Sequence, residues 1–224
     1  MKYCDHIIAI NPNIRDRLIR LGYDIRKITL LQNSVALKID SREIHLPPKK
    51  EILFVGRMSR EKGVEILLKA LARVKNDFFV NIIGEGKDKA YFEKLAQLFQ
   101  DKVKFLGYVP DNVLKKYYER AYFVVLPSTF PELCPLVPLE AISYGKPVIA
   151  SYIGGMPYLI VSGETGFLFE PGNVNNLAYY IDLLLGDEEL ATKMSKRARE
   201  FSKNFSSENH LKSLLKIYKI VLKG

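Results

Sequence analysis

Short β-branched runs recur along this chain at intervals filled by helical or loop patterns, and that alternation limits the possible folds more than any other feature. The runs are EILFVG (51–56), FVNIIG (79–84), VKFLG (103–107), YFVVLP (122–127), PVIAS (147–151) and GFLFE (166–170). Several are apolar on both faces, as parallel strands covered by helices on each side are. Between them, GVEILLKALARVK (63–75) repeats apolar residues at Ile66, Leu67, Ala70, Leu71 and Val74 along one helical face, and DKAYFEKLAQLFQ (88–100) does the same. DNVLKKYYERA (111–121) opens on Asp111, a residue suited to cap it. Such alternation builds right-handed βαβ units, so the predicted fold is α/β, a doubly wound, Rossmann-like parallel sheet. From about Asn173 the pattern is helical to the end, with a last helix within 206–222 capped by Ser206 or Ser207.

The first 46 residues read as a separate unit. A strand (His6 to Ile10) leads to Asn11 and Pro12 as cap and first helical position, a helix to Leu21 stopped by Gly22, and a short strand from Lys27 to Leu31. ALKIDSREIHLPPKK (36–50), with its Pro-Pro pair, reads as a linker. The expected division is therefore 1–46, a nucleotide-binding domain over 47–205, and a terminal helix over 206–224. A single βα unit cannot bury its own apolar face and must lean on the rest of the chain or on another body.

No run approaches 18 apolar residues and the N-terminus carries Asp5 and His6 in its short apolar stretch, so neither a membrane span nor a signal peptide is indicated. The expected location is the cytoplasm. Cys4 and Cys134 form no framework of bridges, and three scattered histidines supply no metal-ligand spacing. The net charge of +9 divides as +5 over residues 1–50, zero over 51–186 and +4 over 187–224. No nucleic-acid recognition motif accompanies it. Basic ends suit solvated helix faces first, and peripheral contact with the inner membrane face or an acidic partner second.

In open α/β sheets ligands sit outside the carboxyl ends of the strands, so the loops after the strands are the place to look. The loop after EILFVG carries Arg57, a planar fork for phosphate oxygens, and Lys62, a point charge at the mouth of the next helix. PSTFPELCPLVPLE carries Glu132 before a helix expected from Leu136 to Tyr144 and Glu140 inside it. The free amides of that helix favour an anion, while the carboxylates suit hydroxyls. A ligand with phosphate in the middle and hydroxyls on both sides, such as a sugar nucleotide, satisfies all of this. GRMSREKG lacks the glycine pattern of a nicotinamide-binding oxidoreductase, and GEGKDKAY is not a P-loop.

VGRMSREKGVEILLKAL, IIGEGKDK, VKFLGYVP and PSTFPELCPLVPLEAISYGKPVIAS, in this order and spacing, resemble the C-terminal donor-binding domain of GT-B, family 4 retaining glycosyltransferases, with Glu132 and Glu140 as the E-x7-E motif. GGMPYLIVSGETGFLFEPGN continues the likeness, which covers about residues 28–222. The resemblance implies a hexosyltransferase that needs no metal or other cofactor and uses a UDP-, GDP- or ADP-sugar. It implies that Arg57 and Lys62 bind the donor diphosphate, with Gly56 in the same turn, that Glu132 orients the sugar, and that Glu140 holds the ribose. Amides near Leu136 and Val137 would face phosphate, Gly84 and Gly86 would let the backbone approach the nucleotide, and Tyr108 and Val109 would line the base pocket.

Two departures stand out. The family commonly has Glu-x-Phe-Gly where this chain has Glu132, Leu133, Cys134 and Pro135, so Pro135 removes an amide that could have bonded the sugar and Cys134 fills the place beside it. Members of the family also carry an N-terminal acceptor domain, of which DHIIAINPNIRDRLIRLGYDIRKITLLQNSV resembles only the last strand, helix and hinge at Asn33, Ser34 and Val35. The expectation is a donor half that works with an acceptor-domain polypeptide or self-associates, and that binds no nucleic acid. The alternatives are a non-catalytic sugar-nucleotide-binding or scaffold subunit and, more weakly, a sugar-nucleotide epimerase.

Overall fold

The computed structural model describes residues 4–37 and 46–223. Most of the expected linker (residues 38–45) lies outside the described residues. Among the described residues, eight strands and eight α-helices follow the predicted order. β1 (Ile7–Ala9), α1 (Pro12–Arg20) and β2 (Ile28–Leu30) make a small βαβ unit whose strands pair in parallel. The main sheet has the order β5-β4-β3-β6-β7-β8, all parallel, from β3 (Glu51–Val55), β4 (Phe79–Ile83), β5 (Val103–Gly107), β6 (Ala121–Leu126), β7 (Val148–Ser151) and β8 (Gly166–Phe169).

Apolar residues on both sides of the strands force helices onto both faces. Ile52 and Phe54 of β3 pack with Val80 and Ile82 of β4 against α2 (Val64–Leu71), α3 (Lys89–Ala96) and α6 (Val174–Gly186). Leu53, between them in sequence, joins Val124 and Leu126 on the opposite face, under α4 (Asp111–Arg120), α5 (Leu136–Ser143) and the end of α7 (Glu188–Ser202). All six residues of β6 are buried, as a central strand covered twice must be.

Local signals set most boundaries. Asn11 caps α1 through Ile14 N–H (2.9 Å), with Pro12 at the first position. Ser206 Oγ accepts from Asn209 N–H at the start of α8 (Ser207–Lys223), which decides between the two candidate caps. Asp111 is not the cap of α4: Pro110 holds that position and Asp111 lies in the first turn, where its charge complements the helix dipole. The helix from Asp88 ends at Ala96, passing into a 3-10 stretch that Gln100 breaks at φ 49°.

The small unit is tied to the main body at several points. Val35 bridges Ser206, with Val35 N–H donating to Phe205 O (2.9 Å) and Ser207 N–H to Val35 O (3.2 Å). A ring nitrogen of His210 contacts Gln32 O at 2.9 Å.

Two features yield predictions. Gly63, at φ 75°, lets the start of α2 meet the end of β6, and an added Cβ would lie 1.9 Å from Pro127 O. Gly63→Ala should cost more than about 2 kcal/mol in urea denaturation, against about 1 kcal/mol for Gly172→Ala, which shares the positive φ but meets nothing. Lys146 is 7% exposed and donates to Glu119 O at the end of α4. Burial, followed by the charge of Arg199 and opposed by that of Glu119, pulls its ammonium down to about 8 from 10.5. Above pH 8 the folded chain has shed a proton that the unfolded chain keeps, so stability should rise with pH between these values, by at most about 3 kcal/mol. Denaturation at pH 7.5 and 9.5 should show that rise relative to Lys146→Met, which shares every other titrating group.

Candidate functional site

The sheet's strand order reverses between β3 and β6, so their following loops diverge and leave a crevice at the carboxyl ends. From β3 the chain passes Gly56 and Arg57 into a 3-10 turn, Arg60–Lys62, that opens into α2. From β6 it runs through residues 127–135 into α5. Thr129 N–H donates to Glu61 O (2.8 Å), joining the two loops. Between them lies a cleft of ≈ 700 Å³ with Arg57, Lys62, Ser128, Glu132, Cys134 and Pro135 in its lining, a volume suited to a small-molecule ligand.

At its centre Lys62 Nζ meets Glu132 Oε2 at 2.7 Å, the two side chains being 19% and 26% exposed. Ser128 Oγ donates to the other oxygen, Oε1, at 3.0 Å. Arg57 is exposed at the rim. Glu61 near it is held below the ordinary carboxylate range by its own backbone amide and the Ser59 side chain, with the charge of Arg57 contributing. Burial pushes the Cys134 thiol up, so it is a poor nucleophile at neutral pH.

Glu140 lies one turn inside α5. Its Oε2 accepts from Tyr118 Oη (2.7 Å), and the Tyr118 ring stacks on Tyr144 at 5.4 Å with the planes 7° apart. Burial and then the neighbouring carboxylate raise the Tyr118 phenol well above its ordinary value, so it stays a donor. Burial, with Glu119 and Glu140 adding, pushes Tyr144 up to about 12. The first turn of α5 offers the amides of Leu136 and Val137, because Pro135 and Pro138 on either side have none.

The crevice thus gathers Arg57, Lys62, Glu132 and Cys134 around one cleft, with Glu140, Leu136 and Val137 following on α5. Gly84 and Gly86 have a structural neighbour of their own: added Cβ atoms would lie 1.9 Å from Gly56 O and 2.4 Å from Met58 O, so these glycines seat the loop after β4 against the loop after β3. Tyr108 is 75% exposed in the loop after β5, next to half-buried Val109. Sequence reading missed Ser128 and Tyr118 as partners of the two carboxylates. Ser128 lies four residues before Glu132 in the same loop, whereas nothing in the spacing of Tyr118, on a different helix, points to Glu140. Among the described residues, no three His, Cys, Asp or Glu side chains converge as a metal site, and no helix is long and apolar enough to cross a membrane.

Residues 38–201 match the profile of the family described as Glycosyl transferases group 1. An uncharacterised glycosyltransferase of Methanocaldococcus jannaschii is 33% identical over 179 residues, covering 78% of this chain and 46% of that protein. A glycogen synthase of Mycobacterium tuberculosis is 29% identical over 205 residues, 88% of this chain and 49% of that protein. The chain therefore spans about half the length of these curated relatives. S. aureus TarM, solved with fondaparinux, α-GlcNAc-glycerol and UDP, matches with a TM-score of 0.82 at 25% identity over 96% of this chain and 44% of that one. Anabaena HepE, solved with UDP, matches in fold with a TM-score of 0.86 at 22% identity, over 97% and 64% of the two chains.

Tyr118→Phe removes the donor from a half-buried carboxylate. It should cost about 1–2 kcal/mol in urea denaturation at pH 7, and the loss should shrink when the Glu140→Gln change is already present.

Proposed function

This chain belongs to the glycosyl transferases group 1 family, and on that premise we propose that it is the donor-binding half of a GT-B, family 4 type glycosyltransferase. The observation that carries this reading is the cleft where strand order reverses, in which a carboxylate and an ammonium meet beside an exposed guanidinium. Arg57 and Lys62 take the diphosphate of a nucleotide sugar, helped by the amides of Leu136 and Val137 at the start of α5. Glu132 accepts from hydroxyls of the sugar and Glu140 from those of the ribose. Gly56, Gly84 and Gly86 shape the phosphate turn, Tyr108 and Val109 border the base, and Cys134 borders the sugar. The UDP complexes of TarM and HepE support a nucleotide of this class.

Transfer in this reading is metal-independent and retaining. The bond from the anomeric carbon to the phosphate oxygen breaks, and the nucleoside diphosphate leaves with a charge that Arg57 and Lys62 stabilise. The acceptor hydroxyl bonds to the anomeric carbon on the same face, and its proton passes to the departing phosphate. The acceptor is bound by the half of the enzyme that this chain does not match in its relatives.

The Lys62–Glu132 pair sharpens the test. Lys62 is paired with Glu132 across the cleft, so a diphosphate must share or displace that carboxylate. In calorimetric titrations with UDP, GDP, ADP and their common sugar conjugates, Lys62→Ala should weaken nucleoside diphosphate and nucleotide sugar alike, by about 10- to 100-fold. Glu132→Ala should weaken the nucleotide sugar while leaving the nucleoside diphosphate unchanged or tighter. Equal losses for both ligands in Glu132→Ala, or no nucleotide binding by the wild-type chain, would overturn the reading.

A further inference from the structure

Three consecutive carbonyls in the loop before α5 are each taken by a donor from elsewhere in the chain. Gly155 N–H donates to Glu132 O at 2.6 Å. Asn11 Nδ2 donates to Leu133 O at 2.6 Å, and Asn33 Nδ2 donates to Cys134 O at 2.8 Å. Both asparagines belong to the small N-terminal unit, 122 and 101 residues from their partners. Asn11 is 2% exposed and its Oδ1 is committed to capping α1, so its amide can turn only one way: oxygen to the helix, nitrogen to the loop. Tyr158 Oη, donating to Asn13 Oδ1 (2.9 Å), fixes the same unit beside the Gly154–Gly155 turn. That turn is itself pressed on the loop, since an added Cβ at Gly155 would lie 2.1 Å from Leu133 O.

In a trans peptide the carbonyl and the following N–H point in opposite directions. Holding the carbonyls of Glu132 and Leu133 on the side of these donors therefore aims the amides of Leu133 and Cys134 the other way. The next residue, Pro135, has no amide to aim. Glu132 leaves the same stretch of backbone toward Lys62.

We propose that Asn11 and Asn33 are positioning residues for sugar recognition, fixing the peptide planes of residues 132–135 so that Glu132 and the amides of Leu133 and Cys134 face the cleft. The proposal rests on the donor-binding reading above and adds the N-terminal unit to the apparatus that selects the sugar. The diphosphate contacts on Arg57 and Lys62 lie outside the clamp, so its loss should be felt by the sugar and not by the nucleotide.

Asn11→Asp and Asn33→Asp replace the donating nitrogen with an oxygen that repels the loop carbonyl, and Asn11→Asp keeps the acceptor that caps α1. Two measurements are made on each. The first compares affinities for UDP-glucose and UDP, or GDP-mannose and GDP if the titration selects guanine. The sugar nucleotide should lose about tenfold and the nucleoside diphosphate less than about twofold. The second needs no ligand: iodoacetamide alkylation of Cys134 in a Cys4→Ser background. This thiol is half-buried, with the Asn33 backbone amide beside it, and it should react several-fold faster once the loop is released. If Asn11→Asp lowers Tm, Asn33→Ser shortens the donor without adding charge. Equal losses for both nucleotides, or thiol rates unchanged in both variants, would overturn the proposal. A wild-type chain that binds neither nucleotide would sink the donor reading by itself, and the thiol rates would then still decide whether the asparagines set the loop.

Discussion

The parallel pairing of β3 with β6 governs the rest of this structure. Ile52 lies opposite Phe123 and Leu53 opposite Val124, and from this central pair the chain winds outward twice, through β4 and β5 on one side and β7 and β8 on the other. Two crossovers leaving in opposite directions cannot both cover the gap above the pair. The loops after β3 and β6 are therefore left facing each other, and the ionic contact between Lys62 and Glu132 follows from that placement. Gly63 allows the approach, because any side chain there would strike the backbone at Pro127.

The ion pair has an electrostatic consequence for the cleft. Lys62 and Glu132 are partly withdrawn from water and satisfy each other, with Ser128 completing the carboxylate. Breaking such a pair by removing one partner exposes the other's unmet demand. An entering anion competes with Glu132 for Lys62, while hydroxyls compete with Lys62 for Glu132, so a ligand that carries both can exchange partners without leaving either charge bare. Glu140 is arranged differently: a buried phenol donates to it, and no cation pairs with it among the described residues.

The N-terminal βαβ unit is attached to the main body through polar contacts more than through shared core. Its edges meet the start of α8 by backbone bonds at Val35, and its asparagines reach the loop before α5. Exposed Ile8, Leu21, Ile25 and Leu30 on this unit, and Leu211, Leu215 and Tyr218 on α8, show how much apolar surface this attachment leaves uncovered.

The residue pattern alone carries the element order, the parallel sheet and the loops with Arg57, Lys62 and Glu132. Those follow from short-range physics: the period of the apolar residues, the cap at Asn11, the glycines that stop helices. It also misplaced one cap, because a helix can begin at Pro110 as readily as at Asp111. Tertiary structure alone decided that Lys62 and Glu132 pair, that Tyr118 serves Glu140, and that Gly84 and Gly86 seat one loop on another. Only tertiary structure, too, brought two asparagines from the N-terminal unit to the adjacent carbonyls of Leu133 and Cys134. Each of these contacts joins residues on different elements, and their meeting depends on strand order and crossover direction, which no local pattern of residues encodes.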